Sequence, residues 1–340
     1  MGELVGITTT VPIEVLYASG RTPVDLNNRF ITADAPKTFI ERAEADGLPR
    51  SLCGWIKGLY GVVMSSSDIR TIVGVTQGDC SNTHALMELF EHAGRRVVPF
   101  AYPYDADRAL LALQMEEFAR TFGTDLAATT QMKRRLDRIR AKLRRLDELT
   151  WREDRVTGFE NHLWLVSASD MNGDPDRFEA GLDAFLGEAA SRPAREEPVR
   201  LGYLGVPAIM SGLYDALERL GARVVFNETQ RQFAMLPPSQ SEDASLRRTG
   251  PGESDLVEQY RRYTYPYRVW GRIDDIRREV AARRIAGVIH YVQNFCYRQM
   301  EDVILREALG VPMLTLEGDL PGPVDARTQL RIESFVEMLK

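Results

Sequence analysis

Three cysteines, Cys53, Cys80 and Cys296, are the side chains of this 340-residue chain best suited to do chemistry. They stand in Ser51-Leu52-Cys53-Gly54-Trp55-Ile56-Lys57-Gly58, Gly78-Asp79-Cys80-Ser81 and Asn294-Phe295-Cys296-Tyr297, each just ahead of a stretch that reads as a helix. A helix amino terminus offers unpaired N–H groups and a partial positive charge, which lower a thiol's pKa and stabilise anionic sulfur or an anionic cluster. That setting suits metal ligation. Spacing does not point the same way: 26 residues lie between Cys53 and Cys80 and 215 between Cys80 and Cys296, unlike compact ferredoxin or zinc-ribbon patterns. Three readings compete. Spacing alone favours buried, inert cysteines. If the three converge, they can hold three irons of an iron–sulfur cube, leaving the fourth for water, a protein oxygen or substrate. Zinc held by the cysteines and His290 is the other metal reading, although a strand position makes His290 more simply a packed or hydrogen-bonded residue. His84, one helical turn after Cys80, either tunes it or faces solvent. There is no Walker sequence, no His-Glu-x-x-His helix and no Gly-x-Ser-x-Gly elbow, and Gly202-Tyr203-Leu204-Gly205 lacks the third glycine of a dinucleotide loop.

The elements that must position these thiols come in two similar sets. Leu4–Thr9 reads as a strand, Pro12–Ala18 as a helix stopped by Gly20, and Val24–Leu26 as the next extended piece. Val199–Leu204, Ile209–Leu220, Gly221 and Arg223–Phe226 repeat that design. Further along each set, Thr71–Thr76 leads to Cys80, a helix to His92, Gly94 and the strand Arg96–Phe100. Its counterpart is Ala286–Val292, Cys296, a helix to Leu309, Gly310 and the strand Val311–Leu316. Alternating strands and helices predict parallel sheets covered on both faces, with ligands gathering beyond the carboxyl ends of the strands. Cys80 and Cys296 would then face one cleft. The expected division is a first α/β lobe over 1–130, a helical linker over 131–197 and a second α/β lobe over 198–340. In the linker, Gln131–Asp154 places Leu136, Ile139, Leu143, Leu146 and Leu149 on one helical face, and eight Lys or Arg lie between Lys133 and Arg145. Those cations either meet phosphates or an acidic partner, or form a solvated face, which is the commoner role. Pro237–Asp255 reads as a surface loop and Tyr260–Tyr267 as either a pocket wall or core packing beside Pro266.

Composition bounds the function. With 44% hydrophobic and 27% charged residues, the chain can bury a sizeable core, and a disulfide framework cannot be built from three cysteines. No apolar run approaches a membrane span, and the first residues lack a secretory pattern, so a soluble, cytoplasmic protein is expected with no membrane partner. A net charge of −6 argues against nucleic acid as a partner.

Several phrases occur together and in order: Val5-Gly6-Ile7-Thr8-Thr9-Thr10-Val11-Pro12-Ile13-Glu14 followed by Ala18-Ser19-Gly20-Arg21-Thr22-Pro23; Cys53-Gly54-Trp55-Ile56-Lys57; Gly78-Asp79-Cys80; Gly287-Val288-Ile289-His290 leading to Cys296; and Gly310-Val311-Pro312 through Glu317-Gly318-Asp319 to Arg331-Ile332-Glu333-Ser334-Phe335-Val336-Glu337. Through them the chain resembles, over almost its whole length, the 2-hydroxyacyl-CoA dehydratase family, which also includes benzoyl-CoA reductase subunits. The resemblance implies two flavodoxin-like lobes with added helices and a 4Fe-4S cluster held between them by Cys53, Cys80 and Cys296. It also implies an acyl-CoA substrate, a separate ATP-hydrolysing activator that injects one electron, and a homodimer or a heterodimer with a homologous subunit. The thioester carbonyl would become a ketyl radical that expels the neighbouring hydroxyl. Such an acidified intermediate is needed because an unactivated β-hydrogen is too weakly acidic for a side-chain base. Benzoyl-CoA-type reduction and an electron-relay subunit are the alternatives within the same resemblance.

The family places a hydroxyl near the substrate carbonyl in the loop after the first strand, where Thr10 is the nearest match; helix capping beside Pro12 is its other reading. An acidic residue after the next turn corresponds to Asp25, which could equally be a solvated turn residue. Glu14 reads as a first-turn helix carboxylate, and Asp319 ends a strand facing the cleft. Family subunits usually carry a helical extension before the first strand, and this sequence begins almost at that strand; the difference is expected to alter the partner surface or the substrate entrance. Double-cubane relatives need more cysteines than it has.

Overall fold

The apolar run that opens each half becomes the inner strand of a parallel sheet. A computed structural model describes residues 2–195, 198–237 and 255–340. In the first lobe β1 (Leu4–Ile7), β2 (Thr22–Asp25), β3 (Thr71–Gln77) and β4 (Arg96–Ala101) lie in the order β2-β1-β3-β4, all parallel. In the second, β5 (Val199–Gly205), β7 (Ala222–Asn227), β8 (Gly287–Gln293) and β9 (Met313–Gly318) lie in the order β7-β5-β8-β9, again all parallel. Between β5 and β7 runs β6 (Met210–Ser211), which pairs with β10 (Gly322–Pro323). Each lobe is thus ordered second-first-third-fourth, the doubly wound arrangement of flavodoxin-like folds. The inner strands are continuous apolar runs because helices cover both faces: Ile72, Val73, Val75, Val288 and Ile289 are fully buried.

The glycines read as helix stops act as such. Gly20, Gly94, Gly221 and Gly310 all take φ between 68° and 76°, the left-handed conformation that ends a helix cheaply only without a Cβ. Two elements differ from expectation. Instead of one helix over Ile209–Leu220, β6 comes first and the helix covers only Leu213–Arg219, because Gly212 at φ 79° interrupts the backbone. After Cys296 the chain makes a 3-10 turn over Tyr297–Glu301 before the α-helix Asp302–Leu309. Of the expected surface loop Pro237–Asp255, residues 238–254 lie outside the described residues.

The long helix covers Leu126–Trp151 and starts at Asp125, whose carboxylate accepts from the Ala128 N–H. Its Leu136, Ile139, Leu143 and Leu146 share one core with Val11, Ile13, Val15 and Leu16 of the first lobe. Buried ion pairs fix its middle to the first lobe and its carboxyl-terminal part to the second. Arg140 lies 2.7 Å from Glu14 and 3.0 Å from Asp137, and Arg283 of the second lobe grips both oxygens of Asp147 at 2.9 and 2.7 Å. Most of the remaining cations of the basic stretch are also engaged: Lys133 with Asp137, Arg135 with Asp176, Lys142 with Glu179 and Asp183, and Arg145 with Glu153. Arg135 and Lys142 join the long helix to the helix Pro175–Ser191, while Arg134 and Arg138 are exposed, so part of the stretch is a solvated face and part holds helices together. Among the described residues no helix is long and apolar enough to cross a membrane.

Arg140 is 3% exposed, so Arg140→Ala leaves Glu14 uncompensated in the interior and should destabilise the fold by about 3–5 kcal/mol. Arg135→Ala, at a half-exposed pair, should cost about 0–1 kcal/mol. Urea unfolding of both variants checks the contrast.

Candidate functional site

The loops at the carboxyl ends of β1, β3, β5 and β8 open onto one cavity of about 930 Å³. Its volume lies at the upper end of the range for small-molecule and cofactor sites. Cys53, Cys80 and Cys296 all line it. Cys80 and Cys296 arrive on the loops after β3 and β8, while Cys53 caps the helix Gly54–Ser65. Each cysteine is the residue immediately before a helical turn, as the sequence suggested, and each is half-buried and free.

Electrostatics runs opposite to the helix-terminus expectation. Burial pushes the Cys53 thiol up to about 11, and the N–H groups of Ile56 and Trp55 offset that only in part. Cys80 is raised by burial and then by the neighbouring Asp79 carboxylate, and Cys296 by burial. No thiol closes a full cap hydrogen bond, so desolvation outweighs the helix ends. Cys80, from the first lobe, and Cys296, from the second, each add slightly to the upward push on Cys53.

Three thiols on one cavity are a donor set of the kind that a thiolate-bound iron–sulfur cluster uses. Among the described residues no three His, Cys, Asp or Glu side chains are arranged around one ion, whose thiolate bonds would be about 2.3 Å for zinc. A cube spreads its thiolates over separate irons and supplies the positive charge that three mutually repelling, desolvated sulfurs need. The zinc reading with His290 is corrected: His290 is fully buried on β8, its Nδ1 is 2.5 Å from Asp302 Oδ1, and its Nε2 faces Arg272 at 3.5 Å. With Arg272 a donor, Nε2 accepts and Nδ1–H donates to Asp302.

The sequence of this two-lobed fold matches the family described as 2-hydroxyglutaryl-CoA dehydratase, D-component, over residues 8–339. The chain belongs to that family. No curated protein matches it. Membership makes the chain a component of a dehydratase system, and the match takes in both lobes, the long helix and all three cysteines.

Within this D-component fold the other expected site residues divide. Asp25 lines the cavity and is buried. It caps the helix Leu26–Ile31 by accepting from the Asn27 N–H at 2.9 Å, and it accepts from the Ser169 hydroxyl at 2.6 Å. It is therefore not a solvated turn residue, and burial raises its carboxyl. Thr10 is 3% exposed and is not part of the cavity wall; its hydroxyl lacks a hydrogen-bond partner and caps no helix. The buried Thr8 and the half-buried Thr9, just past the end of β1, line the cavity instead. Glu14 is a buried structural carboxylate, bound by Arg140, Gln259 and the Tyr260 hydroxyl. His84 turns to the Thr76 carbonyl. Of the aromatic run, Tyr260, Tyr263 and Tyr267 belong to the core and Tyr265 to the cavity wall. Asp319 meets the first lobe through its carbonyl, which approaches Gly54.

Several lining residues were not singled out from the sequence. Trp55 Nε1, Gln293 Oε1 and Arg298 Nε are buried polar atoms on cavity-lining residues, and none has a hydrogen-bond partner. Arg298 is held over the Tyr265 ring at 4.2 Å and by Glu301 at 2.8 Å. Each flanks a cysteine within three positions, which was the available signal. The wall opposite comes from the expected linker: His162 on the helix Gly158–Ser167, and Asp170 in the turn after it. Gln230 Nε2 and His162 Nδ1 are 3.0 Å apart, and burial lowers the imidazole to about 4, keeping it neutral. In the Asp170 turn, Met171, Asn172 and Gly173 all have positive φ.

Two outcomes test this geometry. A Cβ on Gly54 would stand 2.0 Å from the Asp319 carbonyl oxygen. Gly54→Ala should therefore push the lobes apart beside Cys53, costing about 1–3 kcal/mol in urea unfolding and speeding Cys53 alkylation. The second is pH-dependent. Burial and then the Asp25 charge raise Asp170 from its ordinary 3.8 to about 7. The folded state thus holds a proton the unfolded chain has lost, and this group's contribution to stability falls as pH rises from about 4 to about 7. The stability of the wild type relative to Asp170→Asn should decline across that window in a urea series.

Proposed function

We propose that this chain is the iron–sulfur subunit of a 2-hydroxyacyl-CoA dehydratase-type enzyme, with Cys53, Cys80 and Cys296 the protein ligands of a 4Fe-4S cluster. The convergence of three thiols from two lobes on one cavity, in a member of a dehydratase family, carries this reading. Bound there, the cluster supplies one-electron chemistry. The electron arrives from an ATP-hydrolysing activator, the thioester carbonyl of the acyl-CoA takes it as a ketyl radical, and the adjacent hydroxyl departs.

The chain's own residues then have defined tasks. The amide groups at the three helical turns favour anionic sulfur. The unpaired donors Trp55 Nε1 and Arg298 Nε are available to negative charge developing on the substrate carbonyl, and the Thr9 side chain, one position from Thr10, lines the same cavity. A pre-placed donor of this kind is worth about 10²–10³ in rate. Asp25 is the acid–base group closest to the family pattern. The apolar walls exclude water, and a homologous subunit or a second copy completes the enzyme.

Anaerobic reconstitution with iron and sulfide, followed by chemical analysis and EPR, tests the ligand set. Cys53→Ala, Cys80→Ala and Cys296→Ala should each lose most of the bound iron, and full iron content in any one removes that cysteine. With activator and ATP, the reconstituted protein and its partner subunit should convert a 2-hydroxyacyl-CoA to its enoyl-CoA. A cluster that cycles redox state yet is unperturbed by any acyl-CoA identifies a relay subunit instead.

A further inference from the structure

Among the described residues eight carboxylates are buried, and six of them face a cation: Glu14 and Asp137 share Arg140, Asp147 and Glu279 share Arg283, Glu228 has Arg272 and Asp275 has Arg231. The other two are Asp25 and Asp170, and they are neighbours. The Asp25 N–H donates to Asp170 Oδ2 at 2.7 Å, and Ser169 donates to Asp25 Oδ2 at 2.6 Å. Both residues line the cavity shared with the three thiols. We propose that Asp25 and Asp170 act as a carboxyl pair carrying a single proton, with Asp170 the positioning residue that lets Asp25 give and retake that proton at the substrate.

Hydrogen bonds from Asn27 and Ser169 to Asp25, and from the Asn172 and Asp25 N–H groups to Asp170, offset part of the burial, but none brings a positive charge. The Tyr17 hydroxyl, from the helix Ile13–Ala18, donates to the Asp170 carbonyl at 2.6 Å, and burial followed by the Asp170 and Asp174 charges holds that phenol protonated. Arg135 of the long helix is 2.5 Å from Asp176, and Arg29 is paired with Asp68 at 3.4 Å. Two adjacent carboxylates buried without a cation cannot both ionise cheaply, and one retained proton resolves the conflict. Both carboxyls are raised, in agreement. That the cavity takes a ligand has separate support from Trp55 Nε1, Gln293 Oε1 and Arg298 Nε, all buried on its wall without partners.

The proposal rests on the dehydratase reading and gives it a proton inventory. Loss of water from a 2-hydroxyacyl thioester breaks the C2–O bond and a C3–H bond and forms the C2–C3 double bond. After one electron from the activator enters the carbonyl, the hydroxyl leaves with the C2–O electron pair and takes one proton. C3 then releases one proton, and the electron is returned, so nothing is oxidised or reduced overall. A pair that begins with one proton gives it to the departing hydroxyl, receives the one from C3 and ends as it began. Two permanently ionised carboxylates could not make the first transfer, and two protonated ones could not make the second.

Infrared difference titration of the whole chain, with Asp170→Asn and Asp25→Asn beside it, detects the proton directly and needs neither cluster nor turnover. The wild type should lose, near pH 7, a carboxyl signal that Asp170→Asn lacks, distinct from that of Asp79, which burial raises to about 6. Asp170→Asn should move the remaining Asp25 transition down by about one unit or more. An Asp25 transition unmoved by Asp170→Asn, or a wild-type spectrum at pH 6 with no protonated carboxyl beyond those of Asp170→Asn, overturns the pair. In the reconstituted enzyme with 2-hydroxyglutaryl-CoA as probe, Asp170→Asn should bind within about threefold of wild type yet lose at least about tenfold in kcat, with a changed pH profile and partial rescue in Asp170→Glu. Unchanged kcat in Asp170→Asn also overturns the pair. If instead the infrared result holds while the wild type neither binds iron nor turns over any 2-hydroxyacyl-CoA, it is the dehydratase reading that fails.

Discussion

Three sulfurs drawn from two lobes line one cavity, and as thiolates they would repel one another, with Arg298 beside Cys296 offsetting only part of that. Burial answers by keeping them protonated, Cys53 most of all. A metal cluster would answer differently, by bringing its own positive charge into the space the lobes leave. Much of the architecture can be read as the apparatus that holds that space open at fixed width. Both sheets aim the carboxyl ends of their strands at it, and Gly54 lets the helix behind Cys53 approach the second lobe at the Asp319 carbonyl.

Rigidity around the cavity comes from charge as well as from apolar packing. The long helix is not a tether between lobes. Arg140 binds it to Glu14 in the first lobe, and Asp147 binds it to Arg283 in the second. These are fully desolvated pairs, so each is worth little beyond a well-packed apolar substitute, but removing one member strands the other. They therefore specify which surfaces meet more than they add to stability. The contrast with Asp25 and Asp170 follows from the same physics. Buried charge is matched where the fold must be fixed and left to a proton where the cavity is lined.

How much of this was legible in the sequence depended on whether the signal was local. The inner strands were readable because strands buried on both faces are written as unbroken apolar runs, as in Thr71–Gln77 and Gly287–Gln293. The helix stops at Gly20, Gly94, Gly221 and Gly310 were readable because only glycine takes that backbone conformation at little cost. Residue spacing left the thiols' convergence open, and resemblance supplied it. The direction of their pKa shifts was misjudged, since a helix terminus is visible in a sequence and the burial that overrides it is not. Thr10 shows the limit at single-residue resolution: a motif names the loop, while the path of the chain past β1 decides that Thr8 and Thr9 line the cavity and Thr10 does not. Asp170 was missed for another reason. Its segment, Ser169-Asp170-Met171-Asn172-Gly173-Asp174-Pro175, reads as a turn followed by a helix cap, which it is. Nothing local reports that a residue 145 positions earlier lies against it.

Electron and proton chemistry would also have to be kept apart. A cluster site requires sulfurs that can become anionic, and the amides of the helical turns beside the cysteines favour the anion against burial and, at Cys80, against the neighbouring Asp79. A proton site requires carboxyls without cations, since an arginine would hold them ionised. The cavity offers both, from different elements: the thiols on Gly54–Ser65, Ser81–His92 and Tyr297–Glu301, the carboxyls on β2 and the turn after Gly158–Ser167. The segment connecting the two lobes in sequence thereby contributes part of the wall itself. An elimination in which one electron is borrowed and one proton is exchanged needs that division of labour, because a single group close to the cluster could not change its protonation without also changing the potential at which the electron arrives.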